Sequence, residues 1–197
     1  MKALYAIAVL VFLGADPAMS EVPLWTIDAN SSRITFVAKQ MSVPIPGRFE
    51  RFTATIRFDA NDLPGSKALI DIDVSSTSTP NRDIETEIKR EPWFDVAHYP
   101  TARFETVAFT RKGGERYDVA GQLTLRGISK MVTLPATIRV SDDPVTPRTL
   151  QAQASGDVQV SRTAFGIGQG QWSDIAVVAD EVMIHFEIVA RRPKTSQ

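Results

Sequence analysis

The sequence predicts an all-β protein: an eight-stranded antiparallel β-barrel with one short helix near residues 80–91 at its mouth. Three observations carry this. Stretches of strict apolar/polar alternation recur along nearly the whole chain, beginning near Ile34, Thr53, Ala68, Thr101, Tyr117, Met131, Leu150 and Val182. Such a period of two gives each strand one buried and one wet face. Only one segment has a helical pattern, and two consecutive strands around residues 119–139 meet at a tight polar turn, as in a hairpin. Eight strands of about nine residues close into a barrel whose interior is just filled or just holds one small ligand. An open β-sandwich is the alternative; closure removes the exposed edges that an apolar, disulfide-free chain must protect.

In chain order, Leu24–Asp28 is a short extended lead-in. Ile34, Phe36 and Ala38 then face inward until Pro44 and Pro46, which are expected to end ladder pairing and open a loop to Gly47. Phe52, Ala54, Ile56 and Phe58 form the next inward row, stopped by Asn61-Asp62-Leu63-Pro64-Gly65. In the strand after it, Ala68, Ile70, Ile72 and Val74 are inward, opposite Asp71 and Asp73. Two carboxylates without a third ligand or a calcium-loop spacing read as a solvated outer face.

The helix lies between Pro80 and Pro92. Thr79 or Asn81 can cap it, and Glu85 and Lys89 form an i,i+4 pair. Its apolar stripe, Ile84 and Ile88, is narrow, which places it on the surface or over a barrel mouth. Trp93 to Pro100 has no strand period and reads as a plug or hinge. Ala102, Phe104 and Thr106 share one parity and Phe109 the other, which requires a bulge near Thr106. In the hairpin, Val119, Gly121, Leu123 and Leu125 face Val132, Leu134, Ala136 and Ile138 across a turn expected at Gly127–Lys130. The inward row Leu150, Ala152, Ala154, Gly156, Val158, Val160 is small in its middle. Such positions either face a bulky neighbour or line a space. Val182, Ile184, Phe186, Ile188 and Ala190 close the set.

The first twenty residues read as a secretory leader. Lys2 precedes an apolar run from Ala3 to Leu13, and Ala18-Met19-Ser20 offers small residues for cleavage after Ser20. Asp16 and Pro17 interrupt the run before it reaches the roughly 18 residues a membrane span needs. Residues 21–197 are then one domain. With 43% hydrophobic and 23% charged residues the composition is that of a globular protein, and a net charge of −1 offers no field for nucleic acid. Cysteine is absent, which excludes disulfides, thiolate metal sites and an N-terminal lipidated cysteine. His98 and His185 have no metal-ligand spacing, no Gly-x-Ser-x-Gly elbow exists, and Gly166-x-Gly-x-Gly170 lacks the helix of a phosphate loop. Catalysis is therefore not expected, nor a metal.

Five motifs in order resemble the YceI-like family: Trp25-x-Ile27-Asp28, Gly47-x-Phe49, Trp93-Phe94-Asp95 leading to Tyr99-Pro100-x-x-x-Phe104, Gly121-x-Leu-Thr-Leu-Arg-Gly127, and Ser161-Arg162-x-x-Phe165-Gly166-Ile167. The resemblance spans essentially all of the chain after the leader. It implies a lipocalin-like barrel in the bacterial periplasm that binds a long-chain isoprenoid lipid or isoprenoid quinone in an apolar tunnel. Trp93 and Gly166–Trp172 are similar to the branch also found fused to membrane b-type cytochromes, which makes such a cytochrome a candidate partner. The tunnel is expected to use Phe36, Phe52, Ile56, Phe58, Ile70, Ile72, Trp93, Phe94, Phe104, Leu123, Leu125, Ala152, Ala154 and Phe186, with Asn81, Asp83 and Arg162 as head-group contacts. The rival readings are an exported structural or interaction domain with a filled core, and a lipid-modifying enzyme. Outward-facing Leu69, Met131 and Met183 leave monomer and homodimer both open.

Overall fold

The computed structural model describes residues 21–194; the leader expected at residues 1–20 lies outside them. Eleven strands, β1 (Leu24–Ile27), β2 (Arg33–Gln40), β3 (Val43–Phe49), β4 (Phe52–Arg57), β5 (Lys67–Asp73), β6 (Thr77–Ser78), β7 (Thr101–Gly113), β8 (Arg116–Leu125), β9 (Ile128–Asp142), β10 (Thr149–Ser161) and β11 (Glu181–Pro193), form one sheet. They assemble into eight staves because the first three are each interrupted. The strand β11 pairs with β2 over Met183–Glu187 and with β1 over Ala190–Arg191, so β1 and β2 continue one another. Likewise β3 pairs with β2 and β4 with β1, while β5 and β6 pair with β4 and β3 respectively. From there each strand pairs with the next in sequence, and the β1/β2 stave against β11 closes the barrel. Every backbone ladder is thus antiparallel, and all but the closing pairing of β1 and β2 with β11 join neighbouring staves in chain order, as expected for an up-and-down barrel.

Two expectations need correction. The segment with Pro44 and Pro46 is a strand, not a loop: Pro44 stands opposite Lys39 and Pro46 opposite Val37. Proline is tolerated because the other flank of β3 meets β6 only at Arg48 and Phe49, so no ladder demands the missing N–H groups. The hairpin turn is also tighter than the Gly127–Lys130 expectation. Leu125 pairs with Ile128, leaving only Arg126 (φ 48°) and Gly127 (φ 72°), both left-handed as a two-residue type I′ connection requires.

Elsewhere local sequence and structure agree. The ladder between β7 and β8 slips between Thr106 and Ala108, turning Val107 outward and returning Phe109 to the interior against Phe58. Asp71 and Asp73 lie on the outer face, engaged by Arg103 and Arg51. The helix α1 (Arg82–Ile88) is capped by Asn81, whose side-chain oxygen accepts from the Asp83 and Ile84 N–H groups at 2.8 and 3.3 Å. Lys89 Nζ lies 3.1 Å from Glu85. No residue of α1 is fully buried, in keeping with its narrow apolar stripe.

The topology sorts the connections to two ends. At one end lie the β2–β3 turn, α1 with the Trp93–Pro100 segment, the β8–β9 turn and the long connection from Arg162 to Asp180. The β4–β5, β7–β8 and β9–β10 connections lie at the other.

Candidate functional site

Alternation decides what the barrel interior contains. The inward faces of the eight staves are predominantly aliphatic or aromatic, and they border a cavity of about 260 Å³. Of the fourteen residues expected to line a tunnel, thirteen border this cavity: Phe36, Ile56, Phe58, Ile70, Ile72, Trp93, Phe94, Phe104, Leu123, Leu125, Ala152, Ala154 and Phe186. Phe52 is the exception. It opens β4 at the interruption between β3 and β4 and packs into the cluster around Ile72 and Val74 instead. Residues not singled out in advance complete the wall, among them Trp25 and Phe109 at one end and Ala38, Ile88, Val178 and Val182 at the other. Alternation marks most of these as inward; Ile88 and Val178 come from outside the strands and carry no such signal.

The small inward residues of β10 serve both of the purposes their size allows. Gly156 stands opposite Phe186, and a Cβ there would sit 2.1 Å from the Pro135 carbonyl oxygen and 2.9 Å from the Phe186 ring. Ala152 and Ala154, by contrast, face the cavity. Ala154 stands between Ile138 and Ile188 in the two ladders and packs against both core clusters, at the waist of the space.

At the Trp25 end Trp25, Phe58 and Ala190 are buried beside half-buried Ala68 and Phe109, and at the opposite end Ala38, Ile88, Trp93, Phe94 and Val182 are half-buried beside buried Ile167 and Val178. We take the α1 end as the mouth, because there Ile88, Trp93, Phe94 and Val178, from connections rather than from the ladder, close over the space. The Trp93–Phe94 segment fills part of it, so the plug reading describes this stretch.

Two lining residues have polar side chains apart from the indoles, Thr106 and Arg162. Thr106 Oγ1 accepts the Ala68 N–H at 2.8 Å, bridging β7 to β5. Arg162 is 3% exposed, and its guanidinium is fully used. Nε donates to the Ala179 carbonyl (3.1 Å), Nη1 to Ile167 and Gly168 (2.9 and 3.1 Å), and Nη2 to Trp172 and Val178 (2.9 and 2.7 Å). A guanidinium has five N–H donors, so none remains. Burial pushes its pKa below the usual arginine range, with Asp180 opposing that shift. Arg162 is thus corrected from head-group contact to the staple of the Arg162–Asp180 connection. Asn81 and Asp83 are corrected too: both are exposed, neither lines the cavity, and the Asn81 oxygen is committed to the helix cap.

The unsatisfied polar group on the wall is an indole. Trp93 Nε1 is buried without a hydrogen-bond partner, while its ring lies 5.4 Å from that of Trp172 and under the Arg162 guanidinium at 5.7 Å. Trp25 Nε1, in contrast, donates to the Phe58 carbonyl at 2.9 Å. Both histidines lie outside the cavity lining. His185 faces outward between Asp157 (2.9 Å) and Glu187 (3.3 Å), and its hydrogen bond to Asp157 chiefly raises its pKa. Among the described residues no group of His, Asp and Glu side chains is arranged to hold a metal ion.

The fold and cavity define a closed eight-stranded antiparallel barrel that keeps an apolar interior space. The chain belongs to the YceI-like family, whose domain matches residues 25–190. A UPF0312 protein of Vibrio parahaemolyticus is 30% identical over 141 residues, covering 71% of this chain and 73% of that one. Among solved structures, BcnA of Burkholderia cenocepacia superimposes with a TM-score of 0.72 at 34% identity, covering 83% of this chain and 99% of that chain. A polyisoprenoid-binding domain from Saccharophagus degradans, described as implicated in plant cell wall breakdown, shares the fold at a TM-score of 0.66 and 16% identity, covering 86% of this chain and 98% of that one.

Proposed function

We propose that this protein binds one long-chain isoprenoid in its barrel, and that the ligand is a neutral one such as an isoprenoid quinone. The observation that carries the reading is the wall itself: a 260 Å³ space bounded by apolar side chains, with the single lining cation saturated by backbone carbonyls. Each buried methylene contributes about 0.8 kcal/mol, so such a wall needs no charged anchor to hold a prenyl chain. A prenyl diphosphate would bring charge that no free N–H of Arg162 meets. A quinone carbonyl or an alcohol asks only for one neutral donor, and Trp93 Nε1, buried and unpartnered on a lining residue, is the candidate once the indole turns it toward the space. The polyisoprenoid-binding Saccharophagus neighbour, though like this chain in fold alone, supports the same class of ligand. The family supports a binding protein rather than an enzyme.

We place this activity in the periplasm, on the strength of the leader read at residues 1–20. There the protein carries or stores its ligand, with a membrane b-type cytochrome as a candidate quinone-linked partner. Native mass spectrometry of residues 21–197 purified without detergent, followed by solvent extraction, tests the proposal. A stoichiometric isoprenoid is expected. A ligand-free mass that persists after incubation with quinones and prenyl alcohols refutes it and leaves a structural domain. The Trp93→Phe variant is expected to weaken quinone binding about five- to tenfold, the worth of one hydrogen bond, without weakening a prenyl hydrocarbon.

A further inference from the structure

We propose that the rim made by the β2–β3 turn and the neighbouring 173–177 segment docks the barrel mouth on the surface of a zwitterionic lipid bilayer. The inference rests on the ligand reading above, because a long apolar ligand dissolved in a membrane reaches a protein cavity most readily where the cavity opens against that membrane. Met41, Val43 and Ile175 are 74%, 62% and 60% exposed, and all three lie at the mouth end of the barrel. They are tied into one surface: the Met41 N–H donates to the Val177 carbonyl at 2.8 Å, the Ala179 N–H to the Lys39 carbonyl at 2.9 Å, and Gln40 bridges to Val178. Ala38 and Val178 line the cavity, so the exposed rim continues the cavity wall outward. Just behind it on the outer wall, the exposed pair Val37 and Met183 stand opposite one another across β2 and β11.

Isolated exposed apolar residues are ordinary in soluble proteins. The backbone beneath Met41 is not. Gln40 pairs with Val43, so Met41 (φ 49°) and Ser42 (φ 65°) form a two-residue turn with both positions left-handed. Asn-Gly or Asp-Gly suits that conformation, and side chains other than Asn, Asp and Gly adopt it at a cost. The other two-residue turns each hold a left-handed glycine, Gly127 after Arg126 (φ 48°) in one and Gly114 before Glu115 in another, whereas the Met41-Ser42 turn has none. At the mouth both left-handed positions are thus held without glycine, and the first carries a large apolar side chain that is mostly exposed. Lys39 and Asp174 flank the patch with opposite charges, so the attraction it offers is apolar rather than that of a basic patch for anionic lipid.

Flotation with phosphatidylcholine vesicles tests the proposal on the wild type, on a Met41→Asn/Ile175→Asp variant, and on Val145→Asp as a control. Val145 is 82% exposed in the β9–β10 connection, at the far end. Asparagine suits the turn better than methionine, so lost flotation in the double variant is not lost folding; an unchanged melting temperature verifies this. The wild type and Val145→Asp are expected to float, whereas the double variant loses at least tenfold in the bound fraction. It is also expected to extract ubiquinone from the vesicles at least tenfold more slowly, yet to load to the same extent from detergent solution. A wild type that does not float, a double variant that floats like it, or a concentration-dependent dimer abolished by the same substitutions overturns the docking surface, the last assigning the rim to a second copy of the chain. A protein that floats but takes up no ubiquinone from detergent keeps the docking surface and refutes the ligand reading instead.

Discussion

Replacing Ala154 with tryptophan probes the cavity at its waist, where the Cβ faces the space between Ile138 and Ile188. At about 24 cal/mol per Å³, an unfilled cavity of 260 Å³ withholds about 6 kcal/mol of packing from the ligand-free barrel. An indole recovers at most about half of that, and imperfect fit in a closed barrel costs roughly 1–3 kcal/mol. The net stability change is thus expected to stay within about 2 kcal/mol of the wild type, and the variant folds. Binding behaves differently. An indole displaces about four methylenes of ligand, which at about 0.8 kcal/mol each amounts to about 3 kcal/mol, or roughly a 200-fold loss of affinity. Thermal unfolding followed by circular dichroism, together with titration of ubiquinone into the protein in detergent, reads both quantities. A variant that fails to fold would mean that the interior has no room and that the domain is solid. One that folds and binds at wild-type affinity would mean that the ligand does not pass the waist.

Three further outcomes rest on particular contacts. Arg162→Lys keeps a charge but has at most three donors for five carbonyls, and is expected to cost at least about 3 kcal/mol, read from urea unfolding; stability equal to wild type would show that the staple is dispensable. Gly156→Val drives a side chain into the Pro135 carbonyl and the Phe186 ring, and should destabilise by roughly 1–3 kcal/mol or more, read from the urea midpoint. Acid unfolding should report the seam where β1 meets β11. There the Arg191 guanidinium bonds Asp28 and Asp143, and Asp28 is held down from 3.8 to about 2, chiefly by Arg191 and then by Ser31. Backbone N–H groups of Thr146 and Val145, with Arg191, lower Asp143 as well. Because the folded carboxyls titrate below their unfolded values, the stabilisation is complete above about pH 4 and is lost as pH falls toward 2. Arg191→Met is expected to move the acid transition upward; an unchanged midpoint would show that the seam does not depend on these ion pairs.

The strand set was legible because each inward row is written locally. Ile34-Phe36-Ala38 and Val182 to Ala190 state their faces without reference to any partner, and the out-of-phase Phe109 announced the bulge beside Val107. The same alternation brings most of those residues to the border of one cavity, since a barrel closed on one core turns its inward faces to one space. Where prediction failed, the deciding contact was remote. Pro44 and Pro46 forbid a ladder only on a flank that has a partner, and that flank is open in β3. Phe52 obeys the alternation yet misses the cavity because the stave breaks at Glu50–Arg51. Arg162 sits in a conspicuous motif, but nothing in Ser161-Arg162-x-x-Phe165 reveals that five carbonyls up to Val178 and Ala179 converge on it. The hairpin turn falls earlier than its local pattern suggests. Gly127, Ser129 and Lys130 all have turn chemistry, whereas the pairing of Leu125 with Ile128 puts Arg126 in the left-handed region and returns Ser129 and Lys130 to the ladder.

Sequence by itself thus determined eight of the strand segments with their inward faces, a helix between Pro80 and Pro92 with Thr79 or Asn81 as its cap, the bulge and the family, features carried by local patterns. Tertiary structure alone decided that β1 and β2 share one stave against β11, that the alanines of β10 border empty space while Gly156 is covered by Phe186, and that the mouth lies at the α1 end beside the Met41 rim. Those depend on which distant strands meet and on how much volume their side chains leave between them. A local pattern specifies direction and polarity, but it carries no measure of that volume.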